Sequence, residues 1–173
     1  GDRVRPGDVL LGYESTGLHT NGYTLARRIV FETAKLQLGD PLADTGLSVA
    51  DALLAVHRSY ARAVIPVISR LHAIAHITGG GIPGNLVRVL PAQCEALINQ
   101  RSWTWPPLFR FLQEAGRVST EEMRDVFNLG VGLIAVVPKD AVSAAQAEAR
   151  SQGVPTWVLG EIRQGPTGVR FTG

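Results

Sequence analysis

The sequence is poor in cysteine and in long apolar runs. A single cysteine, Cys94, excludes an internal disulfide and a cluster of thiolate metal ligands, and fits a reducing compartment. It lies in an apolar segment, where a buried small side chain is a better interpretation than a nucleophile. No segment approaches the roughly 20 consecutive apolar residues of a membrane span. We therefore expect a cytoplasmic protein without a membrane partner.

Charge is sparse as well. Charged residues make up 18% of the chain and the formal net charge is +2, with basic residues scattered singly and without interleaved aromatic side chains. This distribution gives no basis for a nucleic-acid partner. Hydrophobic residues reach 45%, which excludes a disordered chain. At 173 residues, the sequence fits one domain that buries about 70% of its unfolded surface.

Segments with strand and helix patterns alternate along the chain. Short apolar runs predict strands at 9–13, 72–78, 94–98, 128–137 and 156–162. Helical spacing of apolar residues predicts helices at 25–36, 48–56, 61–71, 108–114, 120–126 and 139–151. Pro66 either kinks the third of these helices or lies in its first turn.

The C-terminal residues of the chain indicate how the last two strands run. Residues 165–168 form a turn motif before a final edge strand, so a terminal hairpin is expected. Strands that alternate with helices and end in a hairpin predict an α/β (α+β) domain, a mixed β-sheet with helices packed on it. We place this single domain at residues 9–173 and interpret residues 1–8, which are polar and turn-like, as the remnant of an interdomain linker.

Two glycine-rich polar loops each lie between a predicted strand and a helix. The second, residues 77–83, contains the glycine triplet 79–81, and Pro83 then stands in the expected first turn of a helix. Glycines allow close approach of a ligand, and a helix N-terminus directs N–H groups at anions, so phosphate is the simplest ligand. The first loop, residues 14–23, is dense in small polar groups, and polar loops at strand ends are where α/β proteins place ligands.

The side chains in these loops that are capable of acid–base chemistry or of hydrogen bonding to a ligand include His19, Asn21, His76 and Thr78. The two histidines either satisfy buried backbone groups or act on a substrate, and the residues leave both possibilities open. A zinc site is not expected, because the two histidines are far apart in the sequence. Neither His57 nor His72 forms a recognised metal motif with them.

Three segments of the chain resemble the phosphoribosylformylglycinamidine cyclo-ligase (aminoimidazole ribonucleotide synthetase, AIR synthetase) family of purine biosynthesis: residues 7–25, 75–91 and 109–132. The segment His19-Thr20-Asn21-Gly22-Tyr23 resembles this family more than its superfamily relatives, such as thiamine-monophosphate kinase. The resemblance extends over essentially the whole chain but covers only the family's C-terminal domain. The chain departs from the pattern at Val56-His57, where the family usually has Pro-Thr, and at Gly84, where the family has a larger residue.

The resemblance implies the fold of the C-terminal domain of the AIR synthetase superfamily and an ATP-dependent ring closure. ATP would phosphorylate the formyl oxygen of formylglycinamidine ribonucleotide and a substrate nitrogen would attack that carbon. Aminoimidazole ribonucleotide, ADP and phosphate would then leave. Catalytic roles are implied for His19, Asn21 and His76, and substrate or phosphate binding for Ser15, Thr16, Gly17, Thr78, Gly79, Gly80, Gly81 and Asn128.

The same resemblance implies further partners. In the family, an N-terminal domain carries most of the ATP and Mg²⁺ site and the main contact of a homodimer, and the sequence lacks this domain. We therefore expect the chain to fold by itself and to be inactive in ring closure by itself. Two alternatives remain: a stand-alone nucleotide- or phosphate-binding module without catalysis, and a glycine-rich structural domain that binds nothing.

Overall fold

Among the described residues, the structure contains six strands and seven α-helices. That structure is a computed structural model, and it describes all 173 residues except the side chain of Ala43. The strands are β1 Val9–Glu14, β2 Ala73–His76, β3 Cys94–Asn99, β4 Val131–Val137, β5 Thr156–Gln164 and β6 Gly168–Thr172. The α-helices are α1 Tyr23–Arg27, α2 Val49–Leu53, α3 Ala61–Val64, α4 Gly81–Leu86, α5 Pro107–Gly116, α6 Thr120–Val126 and α7 Val142–Ser151. A π-helical segment covers Arg28–Thr33, and short 3₁₀ segments cover Ala43–Thr45, Ile65–Arg70, Val87–Val89 and Lys139–Ala141.

The strands form one mixed sheet in the order β2-β4-β1-β5-β3-β6. Neighbouring strands are antiparallel except β3 and β6, which pair in parallel with Leu97 opposite Arg170. The expected mixed α/β sheet is therefore confirmed, with the last strand at an edge. The expected terminal hairpin is wrong: β5 already has β1 on one side and β3 on the other, so the last strand pairs with the far side of β3.

Both faces of strands β1 and β4 are covered. Along β1, Leu10 packs into one cluster of buried side chains and Leu11 into another, as the alternation of a strand requires. The first face meets α4 and the indole rings of Trp103 and Trp157, and the second face meets α3 and α7. All seven residues of β4 are buried, which explains its continuous apolar run. A third cluster of buried side chains joins α1, α2, α5 and α6.

Local sequence features determine where several helical segments begin or end. Ser119 caps α6, because its Oγ accepts the N–H of Glu122 at 3.1 Å, as the Ser-x-x-Glu pattern predicts. Pro66 lies in the first turn of the 3₁₀ segment 65–70, where its missing N–H needs no acceptor, and this segment follows α3 directly, so the helix expected at 61–71 is divided there into an α-helix and a 3₁₀ segment. The helix expected at 25–36 is shorter, since α1 passes into the π-helical segment and ends there. Within the described residues, no helix combines the length and the apolar character required to cross a membrane.

Residues before β1 pack against the sheet. Val4 and Asp8 are buried. The Arg3 guanidinium donates to the carbonyl of Ser69 at 2.9 Å, and the N–H of Gly7 donates to the carbonyl of Ile162 at 2.8 Å. These contacts attach residues 3–8 to the domain, and the boundary at residue 8 stays a prediction.

The C-terminal ends of strands β1 and β2 lie at the same end of the sheet. Both pair antiparallel with β4, which lies between them, so they run in the same direction. In the structure, the first loop covers residues 15–22 and the second loop residues 77–80, which is slightly shorter than the predicted 14–23 and 77–83. These two loops follow β1 and β2 and therefore emerge on either side of the start of β4. This topology brings the two glycine-rich loops together.

Candidate functional site

The two loops are joined directly by a hydrogen bond. The N–H of Gly79 donates to Oδ1 of Asn21 at 2.8 Å. Nδ2 of Asn21 donates in turn to the carbonyl of His19 at 2.6 Å, so one amide side chain connects the second loop to the first. His19 and Thr20 have φ values of 51° and 61°, in the left-handed region that non-glycine residues rarely adopt. The structure thus brings the predicted site residues of the two loops to one place.

Asn128, in the segment before β4, anchors the first loop. Its Oδ1 accepts the hydroxyl of Ser15 at 2.9 Å and the N–H of Gly130 at 2.8 Å, and its Nδ2 donates to the carbonyl of Gly17 at 2.8 Å. Asn128 is only 2% exposed, so these bonds are made away from water. The polar groups of Ser15 and Asn128 therefore position the loop backbone, and their predicted binding role stays a prediction.

The second loop is held by Asn85 on α4, a residue that sequence reasoning did not single out as part of the site. Its Oδ1 accepts the hydroxyl of Thr78 at 3.0 Å, and its Nδ2 donates to the carbonyl of Gly81 at 2.7 Å. Asn85 is buried, so the Thr78 hydroxyl points into the protein. The signal was a short amide side chain one helical turn after the glycines, a position from which it reaches loop carbonyls.

The glycine triplet is only partly available to a ligand. The N–H groups of Gly79 and Gly81 already have acceptors within the protein. Gly81 has a φ of 56°, and a Cβ placed on it would lie 1.7 Å from the carbonyl oxygen of Arg124 on α6. At Gly80, with a φ of 93°, the nearest atom would be 3.6 Å away. Gly81 is thus required for the packing of α4 on α6, and phosphate binding by the triplet stays a prediction that depends mainly on Gly80.

His19 is a buried histidine with a strongly lowered pKa. Its ring is 1% exposed, and its Nε2 accepts the N–H of Thr16 at 3.1 Å and that of Arg58 at 3.4 Å. Burial, followed by the nearby charges of His57, His76 and Arg58, lowers the pKa of His19 to about 4. The ring is therefore neutral at pH 7. Of the two possibilities for this histidine, satisfaction of backbone N–H groups is observed, and a catalytic role stays a prediction.

His57 and His76 complete a cluster of three histidines with His19. The rings of His19 and His57 stack with centroids 4.0 Å apart, and the Nε2 atoms of His57 and His76 are 3.1 Å apart. Burial, followed by the charge of His57, lowers the pKa of His76. The argument that sequence separation keeps these histidines apart is wrong, because the strand order and the loop after α2 bring them together. His72, in contrast, contacts Asp8 at 2.7 Å at the opposite end of β2.

A cavity of about 310 Å³ lies against the first loop. Ser15, Thr16 and Gly17 form part of its wall, together with apolar side chains of α2 and α5. Arg58 is also in the wall, and its guanidinium forms a salt bridge of 3.2 Å with Glu14. Glu14 lines the cavity as well, so apolar walls with a few hydroxyl groups and an Arg–Glu pair suit an organic ligand, and a phosphate on that ligand would compete with Glu14 for Arg58. Three of the predicted binding residues therefore line the same cavity.

The segment that contributes Arg58 was not recognised as part of the site from the sequence. Tyr60, two residues later, donates its hydroxyl to the carbonyl of Glu14 at 2.7 Å, and burial is the main cause of its raised pKa. The available signal was a run of polar and aromatic residues, His57 to Tyr60, directly after a predicted helix. Its contacts with β1 and the first loop are long-range, so spacing along the chain did not reveal them.

Comparison with known proteins gives a family match over nearly the whole chain. The family model described as AIR synthase related protein, C-terminal domain, matches residues 5–172. Similar curated proteins are the phosphoribosylformylglycinamidine cyclo-ligases of Sorangium cellulosum (strain So ce56), 44% identical over 166 residues, and of Desulfatibacillum aliphaticivorans, 42% identical over 164 residues. Each match covers 94% of this chain but 48% and 47% of the respective relative. The chain thus spans about half the length of the curated relatives it matches.

Solved structures of low sequence identity share the fold. Thiamine-monophosphate kinase from Stenotrophomonas maltophilia K279a aligns with a TM-score of 0.68 and 20% identity over 99% of this chain and 52% of that chain. HypE from E. coli, a hydrogenase maturation protein, aligns with a TM-score of 0.61 and 20% identity over 100% of this chain and 49% of that chain. At such identities the likeness concerns the fold alone.

Proposed function

The chain belongs to the family described as AIR synthase related protein, C-terminal domain, and on this premise we propose that it is the C-terminal part of an ATP-dependent cyclo-ligase of purine biosynthesis. The proposed substrate is formylglycinamidine ribonucleotide, and the products are aminoimidazole ribonucleotide, ADP and phosphate. The observation that carries the proposal is 44% identity with a protein named for this activity, extending over 94% of the chain. A cytoplasmic location and a homodimer of the longer protein belong to the same proposal.

In the proposed reaction, ATP transfers its terminal phosphoryl group to the formyl oxygen of the substrate. A nitrogen of the substrate then attacks the same carbon, the carbon–oxygen bond breaks, and phosphate leaves with that oxygen. The protein has to hold the two ends of the substrate together and to stabilise the charge on the transferred group.

We assign these tasks to the two sides of the first loop. The cavity lined by Ser15, Thr16 and Gly17 takes the phosphate-bearing end of the ribonucleotide, with Arg58 as the nearby cation. The reacting end faces the junction of the two loops, where the Asn21 amide bonds the Gly79 N–H. His76 is the exposed histidine at this junction and is assigned proton transfer, whereas neutral, buried His19 is assigned the orientation of the first loop.

The described residues at the two loops do not fit Mg²⁺. Mg²⁺ prefers oxygen ligands, carboxylates above all, and Glu14 next to the first loop is paired with Arg58. The histidine cluster offers nitrogen ligands, which Mg²⁺ does not favour. We therefore propose that Mg²⁺ and most of ATP are held by the N-terminal domain of the longer protein, and we assign no Mg²⁺ ligand to this chain.

A stand-alone nucleotide- or phosphate-binding module is the second candidate. The observation that favours it is the internal hydrogen bonding of the loops, since Asn128, Thr78 and His19 each use polar atoms to hold protein groups. Groups used in this way are not available for acid–base chemistry. Such a module would take a ribonucleotide into the cavity and release it unchanged.

The test joins this chain to the N-terminal half of the Sorangium cellulosum relative and measures ATP-dependent formation of aminoimidazole ribonucleotide. We expect turnover by the chimera and none by the 173-residue chain alone. Asn21→Ala should lower turnover at least tenfold, which corresponds to about 1.4 kcal/mol of transition-state stabilisation. The control Lys139→Ala, an exposed residue just after the opposite end of β4, should leave it unchanged.

Three other results would change the assignment. A folded chimera that binds the ribonucleotide without turning it over favours the binding module. A folded chimera that neither binds nor turns over the ribonucleotide contradicts both candidates. Turnover by the chain alone would contradict the assignment of the ATP site to the N-terminal domain.

A further inference from the structure

Three histidines meet at the junction of three separate segments. His19 lies in the first loop, His57 in the loop after α2, and His76 at the end of β2. One ring nitrogen from each lies within 4.8 Å of the other two. His19 is buried, His57 is half-buried and His76 is exposed, so the cluster extends from the core to solvent. Imidazole nitrogen is a preferred ligand of Zn²⁺, Cu²⁺ and Ni²⁺.

The spacing of the outer pair is close to that of ligands around one ion. Two imidazole nitrogens at about 2.0–2.1 Å from a tetrahedral Zn²⁺ lie roughly 3.3 Å from each other. The Nε2 atoms of His57 and His76 are 3.1 Å apart. A shift of a few tenths of an ångström thus converts this contact into a pair of ligands.

His19 and His57 need two adjustments to share an ion, a rotation of one ring and a change of tautomer in the other. Their rings stack with 17° between the planes, and a metal ion has to lie near the plane of each ligand ring. The half-buried His57 therefore has to turn out of the stack, while the buried His19 stays in place. Because the Nδ1 of His19 has no hydrogen-bond partner among the described residues, it is the nitrogen left for a metal. Because Nε2 otherwise accepts the N–H groups of Thr16 and Arg58, metal binding at Nδ1 also requires the ring proton to move from Nδ1 to Nε2. The two backbone hydrogen bonds are then lost, and the Thr16 hydroxyl oxygen, 3.1 Å from Nε2, accepts the proton.

We propose that His19, His57 and His76 bind one divalent transition-metal ion, for which Zn²⁺ is the best-suited candidate, with water at the remaining position on the solvent side. Three neutral imidazoles leave the charge of the ion uncompensated, and Arg58 adds a further positive charge nearby. We therefore expect a dissociation constant in the micromolar range rather than the nanomolar range of structural zinc sites.

The bound ion links three segments that the fold otherwise connects by hydrogen bonds. It would tie the first loop to the loop after α2 and to the end of β2, and so raise the melting temperature once the free metal concentration exceeds the dissociation constant. The proposal does not rest on the ring-closing function, and metal binding by His76 and proton transfer by His76 exclude each other.

The test uses the 173-residue chain, purified without a histidine tag. Titration with Zn²⁺ is followed by calorimetry, and titration with Co²⁺ by the visible absorption of four-coordinate cobalt. We expect one equivalent to bind, with a higher melting temperature at saturation. His57→Thr and His76→Gln should each weaken binding at least tenfold. His72→Gln, the fourth histidine of the chain and outside the cluster, should leave affinity unchanged.

Each variant is first checked for folding by its far-ultraviolet circular dichroism and its melting temperature without metal. His57 and His76 are partly or fully exposed, so both substitutions should leave the fold intact. The proposal is overturned if the folded wild-type chain shows no saturable binding up to millimolar metal. It is equally overturned if His57→Thr binds as tightly as the wild-type chain, or if His72→Gln removes binding as completely as His76→Gln.

Discussion

Replacement of Asn128 by alanine tests how the first loop is held in place. The substitution removes the acceptor of the Ser15 hydroxyl and the Gly130 N–H, and the donor to the Gly17 carbonyl. Because Asn128 is 2% exposed, water does not reach these groups without a rearrangement of the loop. The chain thus keeps three buried polar groups that have lost their partner.

The expected loss of stability follows from these three groups. A buried polar group left without a partner costs about 1–3 kcal/mol, and the Ser15 hydroxyl recovers part of this by rotating. We therefore expect Asn128→Ala to lower the free energy of unfolding by about 3–5 kcal/mol. For a domain of this size that corresponds to a drop of about 10 °C in melting temperature.

Urea unfolding monitored by tryptophan fluorescence measures the effect. Trp103 is a suitable reporter, because its indole N–H donates to the carbonyl of Leu129, the residue after Asn128, at 3.0 Å. Ser15→Ala removes one of the three bonds and should cost about 1 kcal/mol, with less than additive loss in the double variant. Asn99→Ala, the same change at the exposed end of β3, should cost less than about 1 kcal/mol.

A result contrary to this reasoning is easily recognised. If Asn128→Ala lowers stability by no more than Asn99→Ala, the amide does not support the first loop. If the two losses at Ser15 and Asn128 add fully, the residues do not share a hydrogen bond.

Two further predictions concern the second loop and the histidine cluster. Gly81→Ala should lower the free energy of unfolding by several kcal/mol, because the new Cβ would lie 1.7 Å from the Arg124 carbonyl oxygen. Gly84→Ala in the same helix has open space around the new Cβ and should raise the free energy of unfolding by roughly 0.5–1 kcal/mol. Thermal unfolding measures both variants, and equal effects would refute the packing argument. The free energy of unfolding should fall as the pH drops from about 6.5 towards 4, because His19 binds its proton near its ordinary pKa in the unfolded chain and only at about 4 in the folded one. The contribution of neutral His19 to the free energy of unfolding is fully present above about pH 6.5. Its complete loss at low pH lowers the free energy of unfolding by about 3 kcal/mol. Urea unfolding across this range and a proton NMR titration of His19 check it, and a folded-state midpoint near 6.5 would contradict it.

The candidate site was predictable in its location more than in its contacts. The small polar and glycine residues of the two loops indicated candidate ligand-binding segments, because such residues cannot build a core, and binding there stays a prediction. The partners of those residues were not predictable. Asn85 and Arg58 reach the loops from a helix turn and from a distant loop, and the local sequence around each residue does not specify which loop group it contacts.

The sequence by itself determined the features that depend on neighbours along the chain. Ser119 caps α6 because its partner is three residues away, and the apolar run of β4 predicts a strand covered on both faces wherever it lies in the sheet. Only the tertiary structure decided which strands pair and which loops meet. The last strand follows β5 directly in the chain, yet it pairs with β3 because both sides of β5 are occupied. His19, His57 and His76 converge for the same kind of reason. Their distance is set by the order of the strands around β4, a property of the whole sheet that no local pattern of residues encodes.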